Sequence, residues 1–199
     1  QHLTKRAVPE FVEALERLYL GRPAFVREIM ARPLAAYAEA LEPELAAEVM
    51  RKPGETVDLA EQSAFYLPGF EQRHIESSLG QLKAVVREAD DPVVAIDARI
   101  TEWEEKRPAK IAARETVQFN GFLAKAFFVA AGFRLRWRAF GQNCPYCNEL
   151  NGKVVGSAGT FLGAGEEFQP EGAPVPIVNR RPTTHPPLHE GCDCAIVPG

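Results

Sequence analysis

The chain has 199 residues, 46% of them hydrophobic and 25% charged, with a formal net charge of −4. That length can bury one good core, or one core and a small satellite. No apolar run reaches the ~18 residues of a membrane-spanning helix, and the opening QHLTKRAVPEF lacks the long apolar centre of a signal peptide. Gln1 in place of Met is what a processed or truncated start would leave.

Up to about residue 131 the sequence reads as successive helices. VPEFVEALERLYLG has Pro9 in a first turn, Phe11, Leu15 and Leu18 on one face, and Gly21 as a stop. RPLAAYAEALEPELAAEVMRKPG follows, with Pro43 either kinking a helix or opening a new one. VDLAEQSAFYLPG is a shorter candidate, and FEQRHIESSLGQLKAVVREADDP sets Ile75, Leu79, Leu82, Val85 and Val86 along one stripe. DPVVAIDARITEWEEK then leads through Arg107-Pro108 into AKIAARETVQFNGFLAKAFFVAAG, the longest helical pattern, which ends at Gly132. His2 and His74 fall in these helical regions without a partner pattern and read as solvated.

The pattern changes at Phe133. In FRLRWRAF the residues Phe133, Leu135, Trp137 and Ala139 alternate with Arg134, Arg136 and Arg138, the period of a half-buried strand. GKVVG and CDCAIVP read as further short strands, and Asn151-Gly152 as a tight turn between CPYC and the first of them. Residues 156–187 hold five glycines and six prolines, which predicts a long irregular loop. The expected fold is therefore mainly α, with a helical body over 1–131 and a small α+β module over 132–199, hairpin-like and Cys/His-rich. Its apolar content looks too thin to hold it together alone, which calls for a staple.

All four cysteines lie in the final 56 residues. Clustered thiols in a chain with no sign of export point to metal rather than disulfides. Cys144-x-x-Cys147 can place two thiolates on one ion, and His189-x-x-Cys192-x-Cys194 offers three donors for the two remaining places. In an extended strand Cys192 and Cys194 face the same side. The first choice of ligands is Cys144, Cys147, Cys192 and Cys194, with His189 competing for one place. A thiolate-rich set is the recipe for a closed structural zinc. A catalytic zinc would need an open position and a general base, for which Glu149, Glu190 and His185 are the neighbours in sequence.

Between Arg107 and Arg138 there are seven Lys and Arg residues against Glu115 alone. The face carrying Arg134, Arg136 and Arg138 could meet nucleic-acid phosphates or an acidic protein surface, or simply be solvated opposite the acidic TEWEEK segment. No phosphate-cradling glycine loop or recognition-helix motif accompanies it.

The order of these motifs resembles a known family. KIAARETVQFNGF on a helix, the tryptophan strand LRWRAF, CPYCNELNGKVV, a Pro/Gly loop and PPLHEGCDCAIVP look like the Mu F-like phage head-morphogenesis proteins, minor capsid proteins of tailed phages. The resemblance covers about residues 108–199. Arg114 and Glu115 stand where that family's Arg and Glu would be, without the threonine between them, and are candidates for a structural ion pair. Trp137 matches the strand tryptophan, Asn151-Gly152-Lys153 the turn, and His189, Cys192 and Cys194 the ending. Glu190-Gly191 replaces the usual Pro-Asn, and Asp193 the usual Arg. The resemblance implies a non-enzymatic virion protein, assembled in the host cytoplasm with portal or inner-capsid proteins, with packaged DNA as a further candidate partner. The rival expectations are a zinc-dependent nuclease or hydrolase, and a DNA-binding head accessory using the arginine face.

Overall fold

The structure, a computed structural model, describes residues 7–21, 23–52, 54–140 and 144–199. It is mainly helical with a small C-terminal sheet region, as the sequence predicts. Four helices come first: α1 (Ala7–Leu20), α2 (Pro23–Glu48), α3 (Leu59–Glu88) and α4 (Pro92–Ala130). They are followed by β1 (Leu135–Arg138), α5 (Pro145–Leu150), β2 (Val154–Val155), β3 (Glu167–Phe168), β4 (Ile177–Val178) and β5 (Ala195–Pro198).

The helices are fewer and longer than the sequence suggests, because prolines expected as breaks lie inside them. Pro43 is internal to α2, Pro68 to α3 and Pro108 to α4. A helical proline removes one backbone hydrogen bond and crowds the preceding turn. At Pro68 the neighbours Leu67 and Phe70 are buried, so packing holds the helix through the break. Near Pro108 the Arg107 guanidinium lies over the Trp103 ring at 4.4 Å, a contact within one face of α4. Helix starts are fixed locally: the Asp58 carboxylate accepts from Glu61 N at 2.9 Å, and Asp91 accepts from Val93 N and Val94 N. At the far end of α4, Gly132 adopts φ +88° while Gly132 N and Phe133 N donate back to Val129 O and Phe128 O. This left-handed cap turns the chain out of the helix and into β1.

The chain forms two compact units, Gln1–Leu34 with Ala64–Ile111, and Ala35–Ser63 with Ala112–Gly199. Helices α2, α3 and α4 contribute to both, and residues 132–199 belong to the second unit together with helical segments. In the first unit the stripe on α3 is realised, with Leu79, Leu82 and Val86 buried, whereas Leu18 of α1 is exposed. His74 is not the solvated residue expected, because its ring stacks on Phe70 at 4.3 Å between centroids. His2 lies outside the described residues.

The second unit carries the site. Its sheet has the order β2-β1-β5, antiparallel throughout, with Leu135 opposite Val155 and Trp137 opposite Ile196. Leu135 and Trp137 are buried while Arg136 and Arg138 are exposed, the alternation read from the sequence. The module has more core of its own than its composition suggests. Trp137, Phe161, Leu162, Leu150 and Pro186 are almost fully buried, and Trp137 meets Phe161 edge to face at 5.1 Å.

The segment 156–187 is likewise less irregular than predicted, because β3 and β4 form a small hairpin within it. Buried Asn179 organises the rest. Its side-chain amide donates to Leu162 O and Gly163 O, and its Oδ1 accepts from the Thr183 hydroxyl. Further along, the His185-Pro186 segment lies against Gly121 of α4. A Cβ at Gly121 would stand 2.8 Å from His185 Nδ1 and 2.9 Å from Pro186 O, so only glycine allows this approach. Gly121→Ala should therefore destabilise the second unit by about 1–3 kcal/mol through overpacking. An unchanged denaturation midpoint would show that the segment shifts freely.

Candidate metal centre

The site assembles from the two ends of the C-terminal module. Cys144 is the N-cap residue of α5 and Pro145 opens its first turn, where a proline's fixed φ suits a helix. The CPYC knuckle is thus one short helical turn, which places Cys147 three residues on from Cys144. The Cys144 side chain makes no capping hydrogen bond. Asn151 and Gly152 then reverse the chain, Gly152 with φ +82°, and Asn151 Oδ1 accepts from Ala139 N at 3.1 Å. This turn carries the chain into β2.

At the other end, Gly191 with φ +77° and the bond from Cys192 N to His189 O form a turn before β5. Cys192, Cys194 and Ile196 are buried, whereas Asp193 is exposed, so an extended backbone sends both sulfurs to the inner side.

All five predicted donors meet. Cys144, Cys147 and His189 lie within 4.8 Å of one another, and so do Cys147, Cys192 and Cys194, with Cys147 common to both sets. Cys144 Sγ is 2.8 Å and Cys147 Sγ 3.3 Å from His189 Nε2. Cys147 and Cys192 are 3.7 Å apart, close to the edge of about 3.8 Å that a tetrahedron with Zn–S bonds near 2.3 Å would have. The His189 ring is oriented by its own backbone: Nδ1 is 2.8 Å from Glu190 O, a carbonyl that can only accept. The proton therefore sits on Nδ1, and the Nε2 lone pair faces the sulfurs, as in a metal-binding imidazole.

The buried thiols perturb one another. Hydrogen bonds from Cys147 and Cys194 pull the Cys192 thiol far below its ordinary value, against the cost of burial. Cys147 moves strongly the other way, raised by its hydrogen bonds to Cys192 and Cys194 and by burial. For Cys194 the contact with Cys147 lowers, but Cys192 and burial prevail and raise it. A thiolate at one of these positions disfavours a second beside it, as like charges must. A divalent cation removes that conflict by neutralising two or more thiolates, so this cluster can hold a metal ion.

A second observation favours such an ion. The Trp137 indole is fully buried, and among the described residues its Nε1–H makes no hydrogen bond of ordinary geometry, with Cys194 the neighbour it acts on. Trp137 pairs with Ile196, and Cys194 lies two residues from Ile196 on the same face of β5. The indole accordingly favours the thiolate form of Cys194. A metal-bound Cys194 thiolate would be a stronger acceptor for this donor than the free thiol.

The remaining candidates lie elsewhere in the structure. Arg134, Arg136 and Arg138 are exposed, and the Arg138 guanidinium is 5.9 Å from the Phe140 ring centroid. Arg114 is exposed and Glu115 buried, so the two proposed members of an ion pair differ in their surroundings on α4. Glu149 and Glu190 are exposed, and His185 packs on α4 with Nδ1 bonded to Pro186 O. Trp137 as a donor toward sulfur, Tyr146 packed 5.8 Å from the His189 ring and Gly121 were not singled out as site residues by the motifs. For Trp137 the signal was present in its strand register opposite CDCAI.

Titration with Cd²⁺ should produce thiolate-to-metal charge-transfer absorption that saturates at one equivalent. It should also protect the cysteines from a thiol reagent, and the affinity should fall as the pH is lowered, because binding displaces protons. Trp137→Phe should weaken binding about 10-fold or more. Full thiol reactivity in the presence of the metal would rule the centre out.

Compared with protein-family models, curated proteins and solved structures, the chain matches none.

Proposed function

We propose that this chain is a non-enzymatic minor component of a tailed-phage head. Its C-terminal module is a zinc-stapled clasp, and the protein docks on portal or inner-capsid protein. The observation that carries the reading is the convergence of four cysteines and His189, from either end of the C-terminal module, into two donor sets that share the buried Cys147. Together with the order of motifs read from the sequence, it favours an assembly part over a catalyst. Zinc suits a thiolate-rich, four-coordinate set. Cys147, Cys192 and Cys194 form the inner ligands, and Cys144 and His189, in contact with each other, share the fourth place. Bound there, zinc supplies folding free energy rather than chemistry. With five donors available for four positions, no place is reserved for a substrate or a water.

The ligand scheme has a definite mutational signature. Cys144→Ser and His189→Ala should each retain one zinc per chain with reduced affinity, because the other residue takes the fourth place. The double variant and Cys147→Ser should lose it, as measured by metal analysis on protein purified without added metal. Equal loss in both single variants would show that the two do not substitute for each other.

The role in a head predicts co-purification with the portal or major capsid protein of the phage that encodes the chain. A monodisperse protein with affinity for neither would refute it. Exposure of Arg134, Arg136 and Arg138 on one strand supports a second reading, contact with packaged DNA. A charge-reversed triple variant that bound DNA like the wild type across a salt series would exclude that face. Cleavage of DNA by the wild type with divalent metal, lost in His189→Ala, would replace both readings with the hydrolase.

A further inference from the structure

Apart from the sulfur cluster, one cleft of the second unit joins a cation to an apolar wall. It has a volume of about 320 Å³ and is lined by Phe122, Lys125 and Val129 of α4, Gln62 of α3, and Thr184 with His185. The spacing of the α4 residues puts them on one helix face. The opposite wall is held in place, because the neighbouring Pro186 is almost fully buried and its carbonyl sits over Gly121.

Lys125 is half-buried, and among the described residues it has no ion-pair partner. Burial alone pulls its ammonium below the ordinary lysine value, with no opposing charge to hold it up. No Asp or Glu lines the cleft. The Gln62 amide and the Thr184 hydroxyl add neutral groups able to donate. A partly desolvated cation without a counter-ion, beside neutral donors and apolar carbon, is the arrangement of an anion subsite.

We propose that this cleft binds a small organic carboxylate carried on an apolar body, with Lys125 as its counter-ion. One lysine matches one negative charge, whereas a phosphate dianion would leave charge uncompensated. Phe122 and Val129 supply the surface that the apolar part covers. The space suits a single ring or a short branched chain rather than a polymer. This inference is independent of the metal and of the proposed role in a phage head.

Amide-resolved NMR of the full chain tests it with benzoate as the probe. Benzoate should give saturable shifts at Val129, Thr184 and the Gln62 side-chain amide. Benzamide, the neutral isostere, should bind at least about tenfold more weakly, the value of one charge-assisted hydrogen bond. Lys125→Met should lose a similar factor, and Lys125→Arg should recover most of it. The benzoate-to-benzamide ratio in the wild type needs no variant and stands even if Lys125→Met is unstable. Absence of saturation by benzoate, equal binding of the two probes, or the same shifts with inorganic phosphate would overturn the proposal.

Discussion

The contact on which the second unit depends is the meeting of Cys147 with Cys192, 45 residues apart in sequence. It joins α5, which follows β1, to the turn that leads into β5, the strand that pairs with β1, so it closes the loop beside the sheet. Closing a loop of this length is entropically costly, but the cost grows only logarithmically with length. What matters more is that the joined ends have no freedom left. Cys147 is held in a helical turn begun by Pro145, and Cys192 in a turn that Gly191 permits.

The middle of the loop is held by different means. Asn179 adds a side-chain donor to two loop carbonyls, Leu162 O and Gly163 O, and Phe161 closes over Trp137. Lys153 Nζ donates to Phe161 O at 2.6 Å, tying the turn after α5 to the same point. The sulfur cluster therefore does not support the module alone. Its removal would loosen the ends while the aromatic centre and the Asn179 network still resist opening.

Much of this was legible in the residues, for identifiable reasons. Strict alternation in LRWR gave the strand and its faces, because period two has few competing explanations. CPYC, HEGCDC and the Asn-Gly turn gave the donor set, because cysteines and turn glycines act through local geometry. Prolines misled: 43, 68 and 108 look like breaks in isolation, and burial on either side of Pro68 overrides the local penalty. Composition misled as well. Phe161 and Leu162 stand in a Gly/Pro-rich run, yet they are buried, because the turns that surround them fold them inward. Gly121 and Asn179 were invisible in advance, since their importance lies in what faces them across the fold.

The donors also bear on whether a bound metal would hold or react. A catalytic ion needs a position open to solvent, and here the three thiols that share Cys147 are all buried. The exposed side of the cluster is where Cys144 and His189 meet, and each of them can fill the fourth place. The His189 ring is already committed: its Nδ1 proton belongs to Glu190 O, so it has no proton to relay from that nitrogen while Nε2 faces sulfur. Glu149 and Glu190 lie at the surface and are poorly placed to act on a buried centre. The same residues that first suggest chemistry thus offer the parts of a clasp: thiols in excess, an imidazole tied to its own backbone through Nδ1, and a buried indole beside Cys194.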